Sequence, residues 1–217
     1  MKYSDFKHKI QSLPVFSASM LGALTTEPNM LRVQLSGWKK KGLVQSLKKG
    51  LYVLSPEERK IEPSHLYLAN QMFIPSYVSL ESALSYYDMI PEAVYTTTSV
   101  TTRKTCRFTN EFGVFKYQHI ASEAYGGFER IQEPGGLPIL MAAPEKAIVD
   151  FIYLNLSRFD AKDGLIFSES YRFQNYENLS KVSLRKFADR FGSKKLSSVI
   201  ELFIAVCVSQ KTGKKIQ

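Results

Sequence analysis

The sequence predicts an α+β protein in two parts. Residues 1–55 form three short helices and a β-hairpin, residues 56–64 a linker, and residues 65–217 a mixed α/β domain with an antiparallel sheet. Three observations lead there. Apolar residues in the first forty positions recur at helical spacing, punctuated by Pro14, Pro28 and Gly42. A β-branched run over 95–108, YTTTSVTTRKTCRF, is poor in helix formers. The charge is also lopsided: residues 1–60 hold eleven Lys/Arg against four Asp/Glu, whereas the remainder of this +9 chain is almost neutral. Such asymmetry points to a polyanion-binding module joined to a nearly neutral one.

Composition narrows the class. With 217 residues and 44% hydrophobic content, the chain can bury a real core. Its first ten residues carry charges where a secretory signal needs an apolar segment, so the expected location is cytoplasmic. The apolar run over 202–208 is far shorter than the roughly 20 residues of a membrane span, and no membrane partner is expected. Cys106 and Cys207 are too few for a disulfide scaffold. His8, His65 and His119 lack metal-ligand spacing, so no metal or cofactor is expected.

Each early element has a local reason. Ser4 is placed as N-cap of a helix over 4–13, with Phe6, Ile10 and Leu13 on one face and Pro14 as its stop. Ser17 caps a second helix through Ala18, Leu21 and Leu24. After a turn over 25–28, a third helix runs to about Lys41 and ends at Gly42. At 100° per residue, Leu31, Leu35 and Trp38 fall within about 60° of one another and form its buried stripe. Asn29, Arg32, Ser36, Lys39 and Lys40 lie opposite, with Val33 at their edge. Amide, guanidinium, hydroxyl and ammonium groups on one outward face suit base edges and phosphates in a major groove. The runs 43–47 and 51–54 then flank Lys48, Lys49 and Gly50 as a hairpin with two lysines at its tip. Three helices followed by a basic hairpin is the order of a winged helix-turn-helix, whose partner is double-stranded DNA.

Further on, the sequence predicts helices over 65–72 and from Ser79 to about Asp88, with Pro91 beyond. One long strand is expected over 95–108, placing Ser99, Thr101, Arg103 and Arg107 on a common face. Strands follow at 112–119, 128–131 and 137–142, the last two separated by a turn at 134–136, and a helix starts at Pro144. Helices over 183–191 and 193–208 and a basic tail at Lys211, Lys214 and Lys215 complete the chain.

Several of these stretches carry a resemblance. PSYVSLESALSYY over 75–87, IPE over 90–92, TSVTTRKT over 98–105, APEKA over 143–147 with Asp150, and GLYV over 50–53 resemble the AbiEi family of antitoxins, over roughly residues 15–157. The resemblance implies a type IV toxin–antitoxin, or abortive-infection, system of bacteria. In that family the N-terminal module represses its own operon by binding its own promoter. The C-terminal domain counteracts a neighbouring nucleotidyltransferase toxin, generally without a stable complex. This chain departs at Asp88, where glycine is the family residue, and at Ala143, where a hydroxyl residue stands in the family. Asp tolerates the left-handed conformation of a helix end.

The candidate antitoxin surface comprises Ser99, Thr101, Arg103, Lys104 and Arg107, with the two arginines able to clamp one phosphate-bearing ligand. Glu81, Glu92, Glu145 and Asp150 are the carboxylates near these stretches. No nucleophile elbow, Walker loop or HExxH pattern accompanies them, so the chain is expected not to be an enzyme. Two alternatives stand beside this reading: a regulator whose second domain senses a small molecule, and a nucleic-acid-modifying enzyme.

Overall fold

The structure, a computed structural model, describes residues 1–22, 28–133 and 135–208. The expected Leu24 helix end, the turn at 25–27, Pro134 and the basic tail lie outside them. The chain is α+β. Its N-terminal part contains α1 (Tyr3–Ile10), β1 (Phe16–Ser17), α2 (Ala18–Gly22), α3 (Pro28–Lys40), β2 (Val44–Lys48) and β3 (Leu51–Leu54). The strands make a small antiparallel sheet in the order β1-β3-β2.

Helix α1 starts one residue before the expected cap. Lys2 occupies the N-cap without a side-chain bond, and the Ser4 hydroxyl donates to Asp5 instead. Ser17 does cap α2, its Oγ accepting the Met20 N–H at 3.1 Å. Past the end of α3, Gly42 has φ +73°, and the Leu43 and Gly42 N–H groups return to Trp38 and Lys39 carbonyls. That pair of bonds satisfies the last orphan carbonyls of the helix. Trp38 stacks on Phe6 with ring centroids 4.6 Å apart, closing a small core with Ile10, Phe16, Leu31 and Leu35.

The hairpin serves two cores. Val44 and Leu54 face the small one, whereas Leu47 and Val53 belong to the large core of the second domain. The expected linker is packed as well: Arg59 bonds to Gln45, to the Leu54 carbonyl and to Glu62, and Glu58 pairs with Lys7.

The second domain contains α4 (His65–Met72), β4 (Ser76–Val78), α5 (Leu80–Tyr86), β5 (Thr96–Thr101), β6 (Cys106–Asn110), β7 (Gly113–His119), β8 (Phe128–Gln132), β9 (Pro138–Ala142), α6 (Pro144–Leu154), α7 (Lys181–Asp189) and α8 (Lys194–Phe203). Its six strands run in the order β6-β7-β5-β4-β9-β8. The sheet is mixed rather than antiparallel, because β5 pairs parallel with β7 and β4 parallel with β9. Asp88 takes φ +53° beyond α5, the left-handed conformation that Asp tolerates.

The expected long strand over 95–108 is broken. Thr101 Oγ1 donates to the Pro75 carbonyl at 2.7 Å and accepts the Arg103 N–H, while Thr105 Oγ1 accepts the His119 N–H. These side-chain bonds replace ladder bonds over 102–105. The chain turns there, and β6 reaches the far side of β7.

Beneath the sheet, Lys146 and Asp150 of α6 form an ion pair in which both side chains are 0% exposed. Asp150 also accepts from Tyr77 Oη at 3.0 Å and Ser79 Oγ at 2.8 Å. Ser79 therefore holds a buried carboxylate instead of capping α5.

Candidate nucleic-acid interface

Because α3 buries Leu31, Leu35 and Trp38, its opposite face is left to solvent. Asn29, Arg32, Ser36, Lys39 and Lys40 are all exposed. Val33 stands among them at 74% exposure, a large apolar group with no core to join.

Between α3 and the hairpin lies an open groove of about 730 Å³, lined by Arg32, Ser36, Lys39, Lys49, Ser46 and Tyr52 among others. Three cations and three hydroxyls meet there, and no carboxylate is among the described lining residues. Three features hold its shape. The Ala18 N–H donates to the Gly50 carbonyl at 2.9 Å, tying the hairpin turn to the start of α2. Gly50 itself sits at φ +84°, a conformation costly for any residue with a Cβ. Tyr52 stacks on Phe16, ring centroids 5.8 Å apart.

The two hairpin lysines separate. Lys49 is exposed and lines the groove, whereas Lys48 is half-buried and lies over the Phe108 ring, 5.8 Å from its centroid. Burial, and then the nearby Arg103 charge, pull the Lys48 ammonium below its ordinary lysine value. Lys48 thus belongs to the seam between hairpin and second domain. Asn29 and Lys40 lie on the outward face of α3, away from the groove lining.

The other candidate set is divided too. Ser99 and Thr101 are buried at 0% exposure, so neither contributes to a surface. Arg103, Lys104 and Arg107 are exposed. The Arg103 guanidinium sits 4.5 Å from the Phe73 ring centroid and donates to the Ile74 carbonyl at 3.2 Å. Since the strand breaks between them, Arg103 and Arg107 do not inherit a common face from simple alternation.

No protein-family model matches the chain, and no curated protein is significantly similar to it.

Ser46 and Tyr52 are groove residues that α3 periodicity could not reveal. The signal for Tyr52 lies in β3 itself, where alternation from the buried Val53 turns it to the other side of the strand. Among the described residues, no group of His, Cys, Asp and Glu is arranged to hold a metal ion, and no helix is long and apolar enough to cross a membrane.

Proposed function

We propose that residues 1–55 act as a winged helix-turn-helix module that binds double-stranded DNA. In this reading α3 enters the major groove, and Lys49 at the hairpin turn grips the flanking phosphate backbone. One observation carries it: Arg32, Ser36, Lys39 and Lys49, from two separate elements, converge on one open groove free of described carboxylates. Converging cations on a fixed frame are what a polyanion requires, and an outward helix face bearing Asn29 and Arg32 can read base edges.

The stretches over 75–87, 98–105 and 143–147 extend the proposal. We infer an antitoxin of a type IV toxin–antitoxin system in the bacterial cytoplasm, which represses its own operon. It counteracts a nucleotidyltransferase toxin without forming a stable complex, through a surface that includes Arg103, Lys104 and Arg107. It has no enzymatic activity of its own. The support is the resemblance of those stretches to AbiEi antitoxins, together with the exposure of the three cations.

Footprinting the full chain on the DNA upstream of its own gene tests the first half. A protected segment with two half-sites about one helical turn apart is expected. Protection that is no stronger than on unrelated DNA at the same salt would overturn it.

A further inference from the structure

Helix α3 carries a neutral strip on its outward side. At 100° per residue, Asn29, Ser36, Gly37 and Lys40 all fall within about 60° of Val33. Val33 is 74% exposed, and Met30, on the Gly37 side of it, is 52% exposed. A single apolar side chain in water is ordinary on a protein surface. Its neighbour one turn on is not. Gly37 has ordinary helical backbone, and a Cβ built on it would meet no described atom within 4 Å. Gly42 and Gly50, by contrast, both take a positive φ that glycine suits. Neither conformation nor packing within the described chain asks for glycine at 37, although glycine weakens a helix relative to alanine. What remains is room: without a side chain there, another molecule can come close to the helix backbone.

Charge decides what that molecule is. Arg32, Lys39 and Lys40 surround the strip, and α3 contains no Asp or Glu. A second copy laid face to face on it would bring like charges together, whereas a polyanion is drawn in. In the major groove of duplex DNA, the apolar group on offer is the C5 methyl of thymine. Resting on DNA binding by α3, we propose that Val33 is a specificity residue that packs on the C5 methyl group of a thymine. Gly37 lets the duplex approach the helix closely enough for that contact. Asn29 and Arg32 hydrogen-bond to neighbouring base edges, and Val33 adds the recognition of a methyl group that no hydrogen bond supplies.

Deoxyuridine in place of thymidine tests it, because the exchange removes the methyl group and keeps every hydrogen-bonding group of the base. Each thymine of the duplex that the full chain protects upstream of its gene is replaced in turn, and affinity is read by fluorescence anisotropy. At one thymine in each half-site, the wild type is expected to bind the deoxyuridine duplex about fourfold more weakly, the worth of one buried methyl group. Val33→Ser should bind the two duplexes alike. Gly37→Ala should melt no lower than the wild type, since its methyl group meets nothing in the free protein. It should nevertheless bind the thymine duplex about threefold or more weakly, because that methyl group crowds the DNA. Deoxyuridine tolerated at every position, a thymine preference that survives in Val33→Ser, or full affinity in Gly37→Ala would each overturn this inference and leave DNA binding standing. Equal affinity for the upstream duplex and unrelated DNA would overturn both the inference and the reading beneath it.

Discussion

Lys48 lies over the Phe108 ring, joining the hairpin of the N-terminal part to strand β6 of the second domain. The Asn110 side-chain amide donates to the Leu47 carbonyl at 2.9 Å beside it. The adjacent lysine, Lys49, points into the groove instead. Two neighbours of identical chemistry therefore have different duties. Replacing Lys49 with Ala should weaken DNA binding and lower the log–log salt slope by about 0.9, the value for one released phosphate contact. Lys48→Ala should leave the slope nearly unchanged. Paired titrations from low to moderate salt check this, and equal slopes for the two variants would count against the assignment.

The same seam makes the N-terminal part dependent on its neighbour. Leu47 and Val53 are buried in the large core, at 2% and 0% exposure. A fragment ending at residue 62 would turn both to solvent. It should lack a cooperative thermal transition, as followed by circular dichroism. In the full chain, Leu47→Ala should cost about 2–5 kcal/mol in denaturant unfolding. A fragment that melts cooperatively near the temperature of the full chain would contradict the shared core.

The ion pair of Lys146 with Asp150 is fully enclosed. Burial disfavours the charged form of each, pushing Lys146 down and Asp150 up, while their contact and the Tyr77 and Ser79 hydroxyls oppose that shift. Asp150→Ala should destabilise the domain by about 3–5 kcal/mol, since it strands a buried ammonium. Lys146→Met combined with Asp150→Leu should restore much of the loss. Denaturation midpoints give the comparison. A single variant as stable as the parent would show that the pair does not matter.

Much of this arrangement was legible in the sequence, for identifiable reasons. Helix α3 follows from the spacing of Leu31, Leu35 and Trp38, and its exposed side from what that spacing leaves over. Gly42 marked its end, and Pro144 the start of α6. The break after Thr101 was hidden because β-branched residues favour a strand at every position, while what ends it is a contact to Pro75, distant in sequence. Ser99 and Thr101 look polar enough for a surface, yet the sheet buries them. Likewise, no local signal told Lys48 from Lys49, since their difference depends on Phe108, some sixty residues on.

The cysteines report on packing at the other end of the molecule. Burial pushes the Cys207 thiol up to about 11. At pH 8 roughly one molecule in a thousand then carries the thiolate there. Burial also raises Cys106, but Arg103 and Lys48 pull it back. Iodoacetamide at pH 8 should therefore modify Cys106 at least about tenfold faster than Cys207 in the folded chain. Mass spectrometry of the digested protein reads the order, and faster labelling of Cys207 would contradict the packing of the turn that follows α8.

For the antitoxin proposal, Arg103→Glu combined with Arg107→Glu should abolish rescue of cells expressing the neighbouring toxin. Promoter binding should be retained. A folded double variant that still rescues would remove these arginines from the neutralising surface.

The central claim is that the groove between α3 and the hairpin holds duplex DNA. Its most direct measurement is fluorescence anisotropy of the full chain with its own upstream duplex, for the wild type and for Arg32→Ala with Lys39→Ala. The predicted result is affinity that falls steeply with salt in the wild type, with the double variant weakened by about tenfold or more and its salt slope lowered by about two phosphates. Equal affinity and equal salt slope for the two proteins would contradict it.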